Sequence, residues 1–292
     1  MFLHRYLIAL LILVHVPAWA QVRLQPELIA ESAPGLAQPH DAAFSPDGQR
    51  IYVTDMANSR IVVLEAMSLK LIGDFGKGEL SYPHDAEFDA QGRLLVADTG
   101  NNRIAIYTVD GARARRVGEL TGLAGPEGVA VAPDGRIFVT NTRSGTLAVF
   151  RDGRLETTLG GYGSALGEFI NPHDVDVAPD GSIHVVDSGN NRLQAFDAHL
   201  KPLPSQSGAL TLSGPKYLAF DRDRLWLADE YNHRILLIDR NHQLKGVLGT
   251  GTRGRSENAF YKPEAVMARG ELVWVIDTYN DRIVLLKIPN LP

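Results

Sequence analysis

The 292-residue sequence contains no cysteine. Disulfides, thiolate nucleophiles and Cys-ligated zinc or iron–sulfur centres are therefore excluded, and the fold must be stabilised by burial alone. Basic residues are not in surplus either: 29 Lys and Arg face 34 Asp and Glu, a formal charge of −5. That balance argues against a nucleic-acid partner. The longest apolar run falls short of the ~18 residues of a membrane span. The chain has no Gly-x-Ser-x-Gly elbow, HExxH helix, Rossmann fingerprint or Lys-Ser/Thr phosphate loop. What is present is ordinary for a globular protein, with 45% hydrophobic and 22% charged residues, enough to bury a large core. Twenty-eight glycines and 16 prolines against four methionines indicate many turns rather than long helices.

Residues 1–20 read as a secretory signal peptide. Arg5 supplies the positive charge, Tyr6 to Val16 the apolar run, and Pro17-Ala18-Trp19-Ala20 a cleavage pattern before Gln21. The mature chain, 21–292, is then expected to be secreted or periplasmic and monomeric. With no cysteine to follow the cleavage site, no stable membrane anchor is expected after it.

Self-comparison is the informative step. Asp55, Asp98, Asn141, Asp187, Asp229 and Asp277 recur every 42 to 48 residues, and five positions later stand Arg60, Arg103, Thr146, Arg192, Arg234 and Arg282. Before each landmark runs an apolar stretch such as Ile51-Tyr52-Val53 or Val273-Trp274-Val275, a strand buried on both faces. Pro46-Asp47-Gly48, Pro133-Asp134-Gly135 and Pro179-Asp180-Gly181 punctuate hairpins. Repeats at about 38–80, 81–123, 124–169, 170–212, 213–260 and 261–288 share a plan of four antiparallel strands. Together they predict an all-β, six-bladed β-propeller. The last repeat is one strand short, and Glu27–Glu31 is predicted to complete it against Ile283 to Leu286, closing the ring and protecting its edges.

Stretches such as Asp98-Thr99-Gly100-Asn101-Asn102-Arg103-Ile104 and Asp187-Ser188-Gly189-Asn190-Asn191-Arg192-Leu193 resemble the NHL repeat, which implies the same propeller. The repeated Asp and Arg are read as satisfied pairs that hold turns.

Chemistry is sought where blades converge. The residue after the Pro that opens each innermost strand is, in order, His40, His84, Glu127, His173, Lys216 and Glu264. Three of these sit in Pro-His-Asp elements. Side chains from different blades meet on one axis there, so His84, His173, Glu264 and His40 are candidate ligands of a divalent ion. The competing structural reading is that His and Asp bond the backbone of the turn. His184, at a packed position, is read as a blade-interface histidine. Gly160 to Ser164 and Gly249 to Arg255 are expected to rim the mouth.

The Pro-His-Asp element also resembles the peptidyl-α-hydroxyglycine α-amidating lyase. That resemblance implies a zinc held by histidines of alternate blades, a structural calcium helped by the Asp after one such His (here Asp174), and a catalytic Arg and Tyr. Arg143 and Tyr231 are the candidates for the last two roles, with Tyr279 placed equally well. Alternate blades offer His84, His173 and Glu264, so the third ligand would be a carboxylate. The function expected is a recognition module for a small molecule, peptide or protein at a mouth that carries a divalent metal. The alternative is a metal-dependent lyase or hydrolase working at the same mouth.

Overall fold

The computed structural model describes residues 23–204 and 210–292; the leader expected at 1–20 lies outside them. Six antiparallel sheets follow one another round a ring. Blade one is built from Pro39–Phe44, Arg50–Asp55, Arg60–Glu65 and Leu71–Phe75, inner strand first. Blades two, three and five repeat that order. Blade four shows three strands among the described residues, with a single bridge from Phe196 to Pro202 beyond them.

Blade six has only three strands of its own, and Glu27–Glu31 supplies the fourth. Glu27 pairs with Lys287 and Glu31 with Val284, with a bulge between Leu28 and Ala30. Ser32 extends the seam, its amide donating to Ile283 O and its hydroxyl accepting from Ile283 N, both at 2.9 Å. A contact not foreseen lies upstream. Leu24 N donates to Val247 O at 2.9 Å, and the Leu24 side chain is buried against blade five. The N-terminal segment thus fastens two blades.

The apolar core lies between blades. Trp274 of blade six sits among Val53, Val62 and Leu64 of blade one and donates Nε1–H to Ala66 O at 2.7 Å. Each middle strand is covered on both sides, which is why its apolar residues are consecutive rather than alternating.

The Asp–Arg landmarks prove to be latches. Asp187, fully buried, accepts from Ile170 N at 2.8 Å with one oxygen; with the other it accepts from Asn190 Nδ2 at 2.8 Å and Arg192 Nε at 2.7 Å. Asp55, Asp98, Asp229 and Asp277 do the same in their blades. Buried charge is tolerated because every oxygen has a donor. Blade three keeps the amide contact through Asn141 and replaces the arginine by a Ser144–Thr146 hydroxyl pair.

Candidate functional site: the channel mouth

Each innermost strand is delivered to the axis by one local device. The residue before the opening proline has positive φ: Gln38 (47°), Tyr82 (48°), Gly125 (63°), Asn171 (47°), Gly214 (58°) and Lys262 (50°). For non-glycine residues that conformation is disfavoured, so something must hold it. In five of the six blades the preceding blade helps. Asn102 Oδ1 accepts from Gly125 N (2.9 Å), Asn191 Oδ1 from Gly214 N (2.7 Å), Asp281 Oδ1 from Gln38 N (2.8 Å), Ser59 Oγ from Tyr82 N (3.2 Å) and His233 Nδ1 from Lys262 N (3.1 Å). Five blades therefore help to aim the strand-start residue of the next.

The convergence expected from the sequence is present. The His40 and His84 ring centroids lie 4.6 Å apart, and those of His84 and His173 6.5 Å apart. His40 Nδ1 donates to Gln38 O at 3.1 Å and His84 Nδ1 to Tyr82 O at 2.8 Å. A carbonyl only accepts, so both rings carry their proton on Nδ1 and keep a lone pair on Nε2. The turn-holding role is thus filled through Nδ1, and Nε2 of each ring is left for other contacts. Burial lowers both histidines to about 4. His40 Nε2 faces Glu264 Oε2 at 3.1 Å. Burial raises Glu264 to about 7, against the pull of Lys216 and His173. Glu264 Oε2 is buried and forms no hydrogen bond, so a proton on Glu264 relieves the repulsion between a carboxylate and the imidazole lone pair it faces.

Across the mouth, Lys216 Nζ lies 2.8 Å from His173 Nε2. Glu127 Oε2 lies 3.0 Å from the same nitrogen, but that oxygen has no hydrogen bond. The lysine contact has the better geometry, which leaves the His173 proton on Nδ1, a buried atom without a partner. Burial works to raise Glu127, but the positive charge across the mouth, with the Lys216 ammonium its standing part, holds it below the usual carboxylate range. Two carboxyls of one mouth are thereby driven apart.

Glu230 was not singled out from the sequence. It is 1% exposed and stands between Lys216 (3.6 Å) and Lys262 (3.2 Å). A signal existed: other repeats have Met56, Thr99, Thr142, Ser188 or Thr278 at this position. Thr99 and Thr142 donate there to the carbonyls of Pro126 and Pro172, which a carboxylate cannot do. Tyr231, 54% exposed, lies by Lys216 along a cavity of about 610 Å3 that His173 and Glu127 also line. Its ring is 4.4 Å from Lys262 Nζ, and that of Tyr279 is 4.6 Å from it. Arg143 is exposed over Gly125 on blade three and does not line that cavity. The two glycine-rich connections are pinned by backbone bonds, Gly161 N to Gly145 O and Gly254 N to Phe260 O, and do not line it either. His184 is an interface residue as expected, 2% exposed and 3.1 Å from both Ser182 Oγ and His242 Nε2.

A divalent ion at the mouth would have to be held by these same residues. Such an ion shared by His84 and His173 needs both Nε2 lone pairs, and the lone pair of His173 accepts from Lys216. Among the described residues no three His, Asp or Glu side chains are disposed to hold a metal. Asp174 lies below the mouth, where its Oδ2 accepts from Leu218 N at 2.8 Å and ties blade four to blade five. With Lys216 in place, the donor set does not fit the ion.

The NHL repeat matches residues 80–107, 123–150 and 169–196, within blades two, three and four. Over 103 residues the chain is 33% identical to NHL repeat-containing protein 3 of Homo sapiens, covering 30% of this chain and 28% of that protein. The match thus spans less than a third of the relative's length. Among solved structures, the virginiamycin B lyase of Staphylococcus aureus superposes with a TM-score of 0.62 at 17% identity, over 88% of this chain and 83% of that one. A gluconolactonase of Xanthomonas campestris superposes with a TM-score of 0.67 at 16% identity, over 94% of both chains. These likenesses are of fold. The chain is a six-bladed propeller with NHL repeats, related in fold to lyases and hydrolases. Among the described residues no helix is long and apolar enough to cross a membrane.

Proposed function

We propose that this protein is an enzyme of the lyase or hydrolase class that acts on a small molecule at the channel mouth. The observation that carries the reading is the contact between ionisable groups brought from different blades: His40 with Glu264 at 3.1 Å and His173 with Lys216 at 2.8 Å. A binding scaffold has no need of imidazole lone pairs set against a buried carboxyl. Elimination and hydrolysis both do, because each moves one proton from a carbon or water and delivers one to a leaving oxygen. In this reading His84 Nε2 takes the proton, the Glu264–His40 pair supplies one, and Glu127 stays ionised. Tyr231 stands at the rim, where it orients the substrate. The lyase and gluconolactonase activities of the two fold neighbours support this class over a pure recognition module. This reading takes residues 1–20 as a leader and sets the action after export, so N-terminal sequencing of exported protein should begin at Gln21.

The test is turnover by the purified mature protein on a peptidyl-α-hydroxyglycine, a depsipeptide ester and a sugar lactone, repeated after metal chelation. His84→Ala and Glu264→Gln should each cost at least about 100-fold in kcat/KM for whichever substrate is turned over. Both variants should keep the parent's circular dichroism. Turnover unchanged in both variants would refute the assignment.

A further inference from the structure

We infer that the ammonium of Lys216 is the mouth's resident cation: it holds the place at His173 Nε2 that a divalent ion would take, and it makes the mouth a receptor for an anionic oxygen, as on a carboxylate or a developing enolate. This rests on the mouth being the working site and names the chemistry it recognises.

The argument begins with position. Lys216 occupies on blade five the strand-start place that His40, His84, Glu127, His173 and Glu264 occupy on the other blades. Its Nζ therefore arrives from the rim of the same ring, and it comes to rest 2.8 Å from His173 Nε2. A nitrogen so engaged has no second lone pair for a metal. A dication within ~2.1 Å of that nitrogen would also meet the ammonium at close range, where repulsion in a part-buried site is large.

The lysine is not itself saturated. An ammonium has three donors. One serves His173. Glu230 Oε2 is only within ion-pair range, at 3.6 Å, and forms no hydrogen bond, while Glu230 Oε1 is engaged by Lys262 at 3.2 Å. Two N–H groups are thus left without a close partner on a side chain that is 19% exposed beside the 610 Å3 cavity. Lys262, over the Tyr231 and Tyr279 rings, adds a second positive charge at the rim. Donors preset towards an open cavity, with an imidazole fixing the ammonium from behind, stabilise negative charge on an incoming oxygen.

The experiment uses the mature protein with two probes, zinc by calorimetry and acetate by NMR of the histidine ring nitrogens. Lys216→Met should bind one equivalent of zinc at least 100-fold more tightly than the parent. Adding His173→Gln to that variant should return the affinity to the parent's. Acetate should shift the His173 nitrogens saturably in the parent and in Lys216→Arg, and leave them unmoved in Lys216→Met. A parent that binds an equivalent of zinc as tightly as Lys216→Met overturns the inference, and so does acetate that leaves His173 unmoved in the parent. Neither readout needs turnover. A protein inactive on every substrate tried but behaving as above loses the enzyme reading and keeps the resident cation; an active protein indifferent to Lys216→Met loses the cation alone.

Discussion

The His and Asp of each Pro-His-Asp element are adjacent in sequence and end in two unlike places. The histidines reach the mouth, where charges of both signs meet. The aspartates turn into the channel below, where Asp41, Asp85, Glu87, Asp174 and Asp176 line a cavity of about 430 Å3 with Arg222 as the lining's one cation. In the mouth, charge is balanced by charge, and Glu127 is held below the usual carboxylate range even though buried. In the channel only hydrogen bonds oppose burial, and burial wins. Asp41 and Glu87 are pushed well above the usual carboxylate range, and Asp176 rises to about 6. Asp85 Oδ2 accepts from Val129 N and Asp174 Oδ2 from Leu218 N, each tying its blade to the next. One strand thus gives chemistry at its first side chain and cohesion at its second.

Opening the ring is the harshest way to break that contrast, because both regions exist only where six blades share an axis. Deleting everything up to Ala33 removes the closing strand and the Leu24 contact with blade five. The melting temperature should drop by more than about ten degrees. A truncated protein as stable as the parent would show that the ring is closed by other means.

The contrast sharpens when neighbours are exchanged one at a time. His173→Ala should abolish turnover, a loss of at least about 100-fold in kcat/KM, with a melting temperature close to the parent's. Asp174→Ala leaves Leu218 N buried without its acceptor and should cost about 1–3 kcal/mol of stability, read as a fall in denaturant midpoint. Equal effects of the two variants on both readouts would erase the division of labour.

Much of this was legible in the sequence, for stated reasons. The Asp and Arg landmarks recur because each blade needs the same latch, so periodicity alone gave the blade count and the closing strand. The strand-start position gave the mouth's six side chains. What could not be read was which of them touch. Lys216 and His173 are 43 residues apart and meet only because consecutive blades pack side by side. That contact decides whether the mouth suits a metal, and no spacing rule encodes it. The Leu24 contact with blade five rests on one backbone bond and one side chain, too little pattern to see. Glu230 was hidden for the opposite reason: it breaks the repeat at a position where threonine is the working residue, and a search for regularity passes over it.

The smallest expected effect concerns the channel's protons. Glu87 faces Asp176 and Asp85 and is raised first by burial and then by those two carboxyls. A carboxyl whose folded pKa lies above its unfolded value contributes stability that is fully present below the unfolded value, near ~4.3, and is lost as pH rises through the folded one. Asp176, at about 6, acts in the same direction. The mouth works the other way. His40 and His84, lowered to about 4, keep their contribution above the ordinary histidine value near ~6.5 and lose it as pH falls towards 4. Replacing Glu87 by Gln keeps the shape and removes the ionisation that burial opposes. Thermal melts from pH 4 to 9 should then show the variant more stable than the parent at pH 8, with the gap closing below about pH 5. Turnover should be untouched, since Glu87 lies in the channel cavity and not along the one beside Lys216. A gap that persists unchanged at pH 4 would mean that Glu87 destabilises by shape rather than by charge, and the proton-holding account of the channel would fail.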